Sequence, residues 1–454
     1  LDDLIISVSG VRGIVGRGLD PLVFTEIAAH FGNWLGPGPV VVGRDSRVSG
    51  EMAMAAVTAG LVGVGRRVVD LGVVATPTVE VGVREVGAAG GIQISASHNP
   101  AEWNALKLLS SRGIFLTEAE GKAFGAHRAR GRPAFRAWDR LGRAERRDDL
   151  SSIHVDRLLA SPLVDASAIR RRSPRVVVDC VHGAGGAVAA LLLQRLGARA
   201  DLLFAEPTGR FPRDPEPRPE NLGALCEAVR RAGADVGFAL DPDADRVAVV
   251  DETCRPVGEE VTLAVVVDSV LPRVGGSVVV NVSTTMAIDE VAARHGAAVH
   301  RTPVGEVHVT EKMLAVGARI GGEGNGGVIA PDVNPGRDGL LGIALWLDAM
   351  AREGATASAL AARIPATAMR KEKIPLGSGD PDRVLARIEA GFAGARVDRT
   401  DGVKLLLPEG WVHVRRSNTE PILRLLAEAR NEEAVGELVL RTRRLVEGAG
   451  VAAS

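Results

Sequence analysis

The sequence predicts an α/β protein of three related domains followed by a smaller unit of different character. At 454 residues the chain exceeds what one hydrophobic core serves and suggests three or four domains. Three β-branched runs, Val40-Val41-Val42, Val176-Val177-Val178 and Val278-Val279-Val280, each precede a polar turn and then an apolar segment of helical character. That alternation is expected of buried strands in α/β layers. After each run comes a second strand ending in an unusual polar loop: GIQISASHNP (91–100), VGFALDPDADR (236–246) and RIGGEGNGG (319–327). Three related domains, each offering one loop to a shared centre, explain the pattern.

The first domain is expected over residues 1–150. Its strand Gly91-Ile92-Gln93-Ile94 empties into a small-residue turn that carries Ser97, followed by His98, Asn99 and Pro100. Such a turn lifts one hydroxyl from the sheet edge and holds it still, as a nucleophile requires. Pro100 fixes its own φ and keeps Asn99 out of the helical region, so the turn is stiff. Lys107, farther along, supplies a cation that can return to the same place. A polar strand-end turn is the alternative reading. Arg12 in SGVRGIVG (9–16), and Arg44 and Arg47 in VGRDSR (42–47), either add positive charge there or form structural ion pairs. The charge-rich stretch 130–149 reads as a linker closing the domain.

The second domain, 151–252, contains a helical segment, AVAALLLQRLGA (187–198), and the loop Asp241-Pro242-Asp243-Ala244-Asp245-Arg246. Carboxylates on alternate positions point in a common direction where the chain is extended, and three hard oxygen donors suit Mg2+ better than Zn2+. A solvated acidic turn is one alternative. An EF-hand is another, with Glu252 at the twelfth position, but Arg246 stands where that loop needs glycine and strands flank it. An aspartyl-phosphate phosphatase would make Asp241 the nucleophile and leave Ser97 unexplained. HGAGGAVAALLL (182–193) matches a dinucleotide fingerprint poorly, with Val188 at its sixth position, and reads as a strand-to-helix turn.

The third domain, 253–366, has the helical segment MAIDEVAARHGA (286–297) and the loop Gly322-Glu323-Gly324-Asn325-Gly326-Gly327. Its glycines allow close backbone approach, while Glu323 and Asn325 offer acceptors and an amide donor suited to sugar hydroxyls. The fourth unit, 367–454, has a strand WVHVR (411–415) and an amphipathic helix (432–447). The loop between them, with Arg415, Arg416, Ser417, Asn418 and Thr419, combines guanidinium groups with small donors. That mixture favours a phosphate dianion; a surface turn stitched by its own side chains is the alternative.

Composition excludes other classes. With 55 basic and 56 acidic residues and a net charge of −1, nothing electrostatic favours nucleic acid or an anionic membrane. No uninterrupted apolar run nears the ~18–20 residues that span a bilayer. The acidic, then Gly-rich start is unlike a cationic secretory signal. Cys180, Cys226 and Cys254 lack CxxC spacing and fit small buried hydrophobes in a reducing cytoplasm.

These loops together ask for chemistry with a serine, a divalent ion, sugar hydroxyls and a separate phosphate clamp. SASHNP (95–100) with Asn104 and Lys107, DPDADR (241–246), GEGNGG (322–327) and RRSNTEP (415–421) resemble, in order and over essentially the full chain, the motifs of the alpha-D-phosphohexomutase family. The resemblance implies four domains around a central cleft, the last a smaller α+β unit, and a cytoplasmic enzyme acting on small sugar phosphates as a monomer or homodimer. It implies that Ser97 carries a phosphoryl group, with Asp241, Asp243, Asp245 and a phosphate oxygen holding Mg2+. It further implies that Arg12, Lys107 and Arg246 surround the reacting phosphate, Lys107 giving acid/base help and His98 supporting the loop. Arg415, Ser417, Asn418 and Thr419 then grip the other phosphate, and a hexose 1,6-bisphosphate turns over within the cleft.

Departures blur the sugar rather than the chemistry. Asn325 and Gly327 stand where many members carry Ser and His, Pro242 and Ala244 replace glycines, and Ala105 follows Asn104 in place of Gly. VGE (304–306) lacks the His of some members, and Ser283 stands where some carry Lys. The pattern is most similar to the archaeal-type phosphoglucosamine mutases and phosphomannomutase/phosphoglucomutases, and Asn325 points to glucosamine phosphate. A non-catalytic sugar-phosphate binder is the rival of another class, and intact Ser97 with three aspartates argues against it.

Overall fold

A computed structural model describes residues 4–7, 10–376, 380–417 and 422–447. Its first three sheets repeat one arrangement. In the first, Val40–Arg44 lies between Arg67–Val73 and Gly90–Ile94, parallel to both, and Trp103–Ser110 returns antiparallel to Gly90–Ile94. In the second, Arg175–Asp179 lies between Arg199–Leu203 and Val236–Leu240, and Val247–Asp251 returns antiparallel. In the third, Ser277–Asn281 lies between Ala298–Thr302 and Ile320–Glu323, with Gly327–Ile329 antiparallel. The valine runs are thus the inner strands, buried on both faces, which is why they read as continuous rather than alternating. The helices Gly50–Gly63, Gly186–Arg195 and Ala287–Arg294 make the crossovers that parallel pairing requires.

The first sheet is extended at one edge by Gly10–Val15 and Leu4–Ser7 and at the other by Arg143–Arg146. This last strand, parallel to Arg67–Val73, corrects the reading of 130–149 as a linker: its end is part of the sheet. Both faces of that strand carry polar or small side chains, so no apolar alternation marks it in the sequence.

The fourth unit is a five-stranded antiparallel sheet in the order Ala368–Pro375, Ile422–Ala429, Gly410–Arg416, Val403–Leu407, Arg396–Asp398. Helices Pro381–Gly391 and Glu432–Glu447 cover it through Val384, Ile388, Val435 and Leu438, packed with Leu405, Val412 and Leu425. It is the expected α+β unit.

The second and third sheets share one continuous core. Helix Gly339–Glu353 runs through it with residues 339–350 all buried, and touches both Val247–Asp251 and Gly327–Ile329. A helix apolar on every side belongs in an interior. Its placement brings the residues just before its N-terminus, Arg337 and Asp338, up against the hairpin loops of both sheets. Among the described residues, no helix is long and apolar enough to cross a membrane.

Candidate active site

The three polar loops occupy equivalent positions: each joins the third parallel strand to the antiparallel fourth. In the first, Ser97 adopts φ 50°, a left-handed conformation that costs a non-glycine residue about 1–3 kcal/mol. The surroundings hold it there. Its amide donates to Ser95 Oγ at 2.9 Å, and Ser95 Oγ donates to Asp45 Oδ2 at 2.7 Å. Buried Arg47 donates to the carbonyls of Ser97 (2.7 Å), Asn99 (2.7 Å), Pro100 (2.5 Å) and Trp103 (3.0 Å), and its Nε pairs with Asp45 at 3.0 Å. Arg47 is therefore a structural clamp on the loop. Arg44 pairs instead with the exposed Glu51, 3.5 Å away. Asn104 binds Ser49 Oγ, at the start of helix Gly50–Gly63.

The Ser97 hydroxyl donates to Asp241 Oδ2 at 2.7 Å, across 144 residues of sequence. Asp241, Asp243 and Asp245 are all buried, with ligand atoms within 4.8 Å of one another. Lys107 Nζ lies 2.6 Å from Asp243 Oδ2 and 3.4 Å from Asp245 Oδ2. Thr76, which opens helix Thr76–Glu85 of the first domain, donates its amide to the Asp243 carbonyl at 2.9 Å and its hydroxyl to Asp243 Oδ2. Asp243 Oδ1 and Asp245 Oδ1 are buried and accept no hydrogen bond from any described residue. Buried anionic oxygens left without donors, in a set of three carboxylates, fit a hard divalent cation.

The charges act unequally within this triad. Burial, followed by Asp245 and Asp243, pushes Asp241 well above the usual carboxylate range. Burial also opposes ionisation of Asp245, but Arg337, Lys107 and Arg246 outweigh it and hold that group far below the usual range. Burial would lower the Lys107 ammonium; Asp243 and Asp245 overcome it and raise the pKa, so Lys107 stays charged.

Arg246 Nη2 lies 3.1 Å from His98 Nδ1, and Ser97 Oγ lies 3.5 Å from the same nitrogen. A guanidinium only donates, so Nδ1 is the acceptor and the proton of the neutral ring sits on Nε2. Burial, Arg246 and Arg12 push the imidazole well below its ordinary pKa. His98 thus supports Arg246 and keeps no free Nδ1 lone pair for Ser97. Arg12 Nη1 donates to Asn99 Oδ1 at 2.8 Å, on the serine loop.

Glu323, which ends its strand in the third sheet, is buried and anchored. Its Oε1 accepts from Asn281 Nδ2 (2.8 Å) and the Gly305 amide (3.0 Å), and its Oε2 accepts from Arg337 Nη1 (2.7 Å). Asn325 Oδ1 accepts from the Gly327 amide at 3.2 Å, closing its own turn. The second and third hairpins touch directly, through Val247 N to Gly326 O at 3.1 Å. In the fourth unit Arg415 Nε lies 3.8 Å from Asp401 Oδ2, and Glu323 is among the charges acting on its guanidinium. Ser417 donates its amide to Ile422 O at 3.0 Å. Asn418 and Thr419 lie outside the described residues.

Comparison with known proteins follows the same division of the chain. Models of phosphoglucomutase/phosphomannomutase alpha/beta/alpha domains I, II and III match residues 4–129, 152–256 and 259–368, and that of the C-terminal domain matches 372–445. The chain belongs to the phosphoglucomutase/phosphomannomutase family. It is 38% identical over 456 residues to a phosphoglucomutase/phosphomannomutase of Thermococcus kodakarensis, covering 97% of this chain and 98% of that one. It is also 38% identical over 434 residues to a probable phosphoglucosamine mutase of Methanopyrus kandleri, covering 95% of each. Among solved structures, a putative phosphomannomutase of Thermus thermophilus superposes with a TM-score of 0.84 at 29% identity, covering 98% of this chain and 99% of that one. As a phosphohexomutase, the chain is an isomerase.

The rival readings of this phosphohexomutase's loops meet specific obstacles. Glu252 accepts from the Ser358 amide at 3.0 Å and from its hydroxyl, so it does not complete an EF-hand. The glycines at 182–186 seat the metal loop: a Cβ on Gly183 would stand 2.6 Å from Pro242 O, and the Ala184 amide donates to that oxygen at 2.7 Å. Sequence reasoning missed Thr76 and Arg337, whose guanidinium joins Asp245, Glu323 and Glu306. Arg337 carried one weak signal, a charged residue placed immediately before an Asp that caps an apolar helix.

Proposed function

We propose that the protein interconverts hexose 1-phosphate and hexose 6-phosphate by way of a phosphoserine at Ser97 and a bound 1,6-bisphosphate. The observation that carries this reading is the Ser97 hydroxyl, fixed by the Arg47 clamp and directed at Asp241 within a buried triad that has two oxygens open. A positioned oxygen beside charge-stabilising groups is what phosphoryl transfer asks of a protein.

The residues divide the work. Phosphoserine gives its phosphoryl group to the free sugar hydroxyl: the sugar O–P bond forms, the Oγ–P bond breaks, and Ser97 regains a proton. After the bisphosphate has turned over, Ser97 Oγ, its proton held toward Asp241 Oδ2, attacks the opposite phosphate: the Oγ–P bond forms, the sugar O–P bond breaks, and the proton given up by Ser97 passes to the freed sugar oxygen. Arg12 and Arg246 stand by the serine loop to meet the phosphoryl oxygens. Lys107, kept charged by its aspartates, acts as a donor. Asp241, Asp243, Asp245 and an oxygen of the phosphoryl group would hold Mg2+, which neutralises charge on the transferring group. Asn325 offers its amide nitrogen to the sugar hydroxyls, Glu323, held by Asn281, Gly305 and Arg337, meets them through the remaining lone pairs of its carboxylate, and Arg415 with the loop 417–419 grips the phosphate that is not reacting.

For the sugar we propose glucosamine, on the amide of Asn325 and the likeness to the Methanopyrus relative. Glucose or mannose is the second reading, favoured by the equal identity to the Thermococcus relative. Free cysteines and small-metabolite chemistry support a cytoplasmic setting.

Ser97→Ala tests the reaction. Mutase turnover should fall by at least about 10³-fold, ~4 kcal/mol, while sugar-phosphate affinity stays within a few-fold. Retention of most turnover would overturn the assignment. A comparison of kcat/KM for the three sugar phosphates tests the sugar: a glucose or mannose preference above about tenfold, ~1.4 kcal/mol, rejects glucosamine.

A further inference from the structure

Arg337 is a buried cation that reaches three carboxylates on three elements. Its Nη2 donates to Asp245 Oδ2 (2.8 Å) on the metal hairpin, and its Nη1 donates to Glu323 Oε2 (2.7 Å) on the sugar hairpin. Its Nε lies 3.0 Å from Glu306 Oε2, at the start of helix Glu306–Val316. The backbone beside it is pinned. Asp338 caps helix Gly339–Glu353 through the amides of Leu340 and Leu341 and takes His154 Nε2 at 2.7 Å, while the Gly339 amide donates to Ala244 O at 3.1 Å.

We propose that Arg337 is a positioning residue that locks the metal hairpin to the sugar hairpin and restricts Asp245 to offering a single oxygen, Oδ1, to the cation. The proposal rests on the reading of the aspartates as a cation site and of Glu323 as a sugar contact. The geometry carries it: one planar fork spans both loops and shares Oδ2 with Lys107 Nζ, 3.4 Å away, while Oδ1 accepts no hydrogen bond from a described residue and has Arg246 Nε 3.7 Å away. A guanidinium beside Asp245 also repels a divalent ion, so the lock costs cation affinity and gains alignment between sugar and reacting phosphate.

Arg337→Met and Arg337→Lys separate these effects. In the full-length enzyme, Mn2+ affinity is read by electron paramagnetic resonance without sugar phosphate, and kcat and KM are read with glucosamine phosphate. Arg337→Met should bind Mn2+ at least threefold more tightly and yet show a KM raised about tenfold and a kcat lowered by at least as much. Arg337→Lys, which keeps the charge and loses the fork, should keep Mn2+ affinity within twofold and still raise KM about tenfold. A residue that merely held the fold together would weaken both cation binding and catalysis when removed. Weaker or unchanged Mn2+ binding in Arg337→Met overturns the proposal, as does an unchanged KM in Arg337→Lys. If Arg337→Met does not fold, the Arg337→Lys arm decides alone. Failure of the underlying reading looks different: the wild-type enzyme then binds no Mn2+, or Ser97→Ala stays active.

Discussion

The metal hairpin and the sugar hairpin hold the same place in successive sheets and treat their carboxylates in opposite ways. Both oxygens of Glu323 are engaged by Asn281, Gly305 and Arg337. Asp243 and Asp245 each keep one buried oxygen with no donor among the described residues. Burying an ion costs several kcal/mol unless partners offset it. In the sugar hairpin the protein supplies those partners itself, so that loop is built in advance. In the metal hairpin part of the cost is left standing, as expected where a cation completes the set.

Four substitutions test this contrast. The largest effect belongs to Asp243→Asn, which removes a carboxylate charge from the unfinished hairpin: kcat/KM should fall by at least about 10³-fold, ~4 kcal/mol. Only a small loss would mean the open oxygens are not part of the chemistry. Arg47→Lys leaves both hairpins intact but loosens the serine loop that faces them. Turnover should fall by about 10²-fold and thermal unfolding should show a loss of ~3 kcal/mol or more, because the lysine cannot reach four carbonyls and Asp45 together. Glu323→Gln tests the finished hairpin, and the effect should be about tenfold and lie mainly in KM. An effect as large as that of Asp243→Asn would erase the distinction.

The smallest effect is on stability. Because the folded-state pKa of Asp241 is raised above the unfolded value, that group's contribution is fully present below about pH 4 and is lost as pH rises through the folded value. With a metal chelator present, Asp241→Asn should therefore match or exceed the wild type by ~1 kcal/mol at neutral pH, and the gap should close on acidification. Differential scanning calorimetry across pH measures it; a less stable variant at neutral pH contradicts the account.

Much of this was legible locally. The valine runs and the loops after them marked the strands and their equivalent ends, because buried inner strands and tight polar turns leave short-range patterns. What stayed hidden was convergence. Thr76 and Arg337 carry no motif of their own, and only the packing of helices Thr76–Glu85 and Gly339–Glu353 against the second hairpin makes them part of the site. Arg47 was visible as a charge beside a strand end, but its four carbonyl partners come from a loop about fifty residues on, so spacing could not separate clamp from ligand. His98 looked equally suited to base or support until the guanidinium on its Nδ1 decided between them.

Equivalent hairpins of the first two sheets face each other to pass a phosphoryl group through one serine. Peptide mass spectrometry of the protein after incubation with a hexose 1,6-bisphosphate tests it most directly. One phosphate is expected, on Ser97, that disappears when hexose monophosphate is added and never forms in Ser97→Ala. Phosphate on an aspartate of 241–245, or none on Ser97 in an active enzyme, would contradict it.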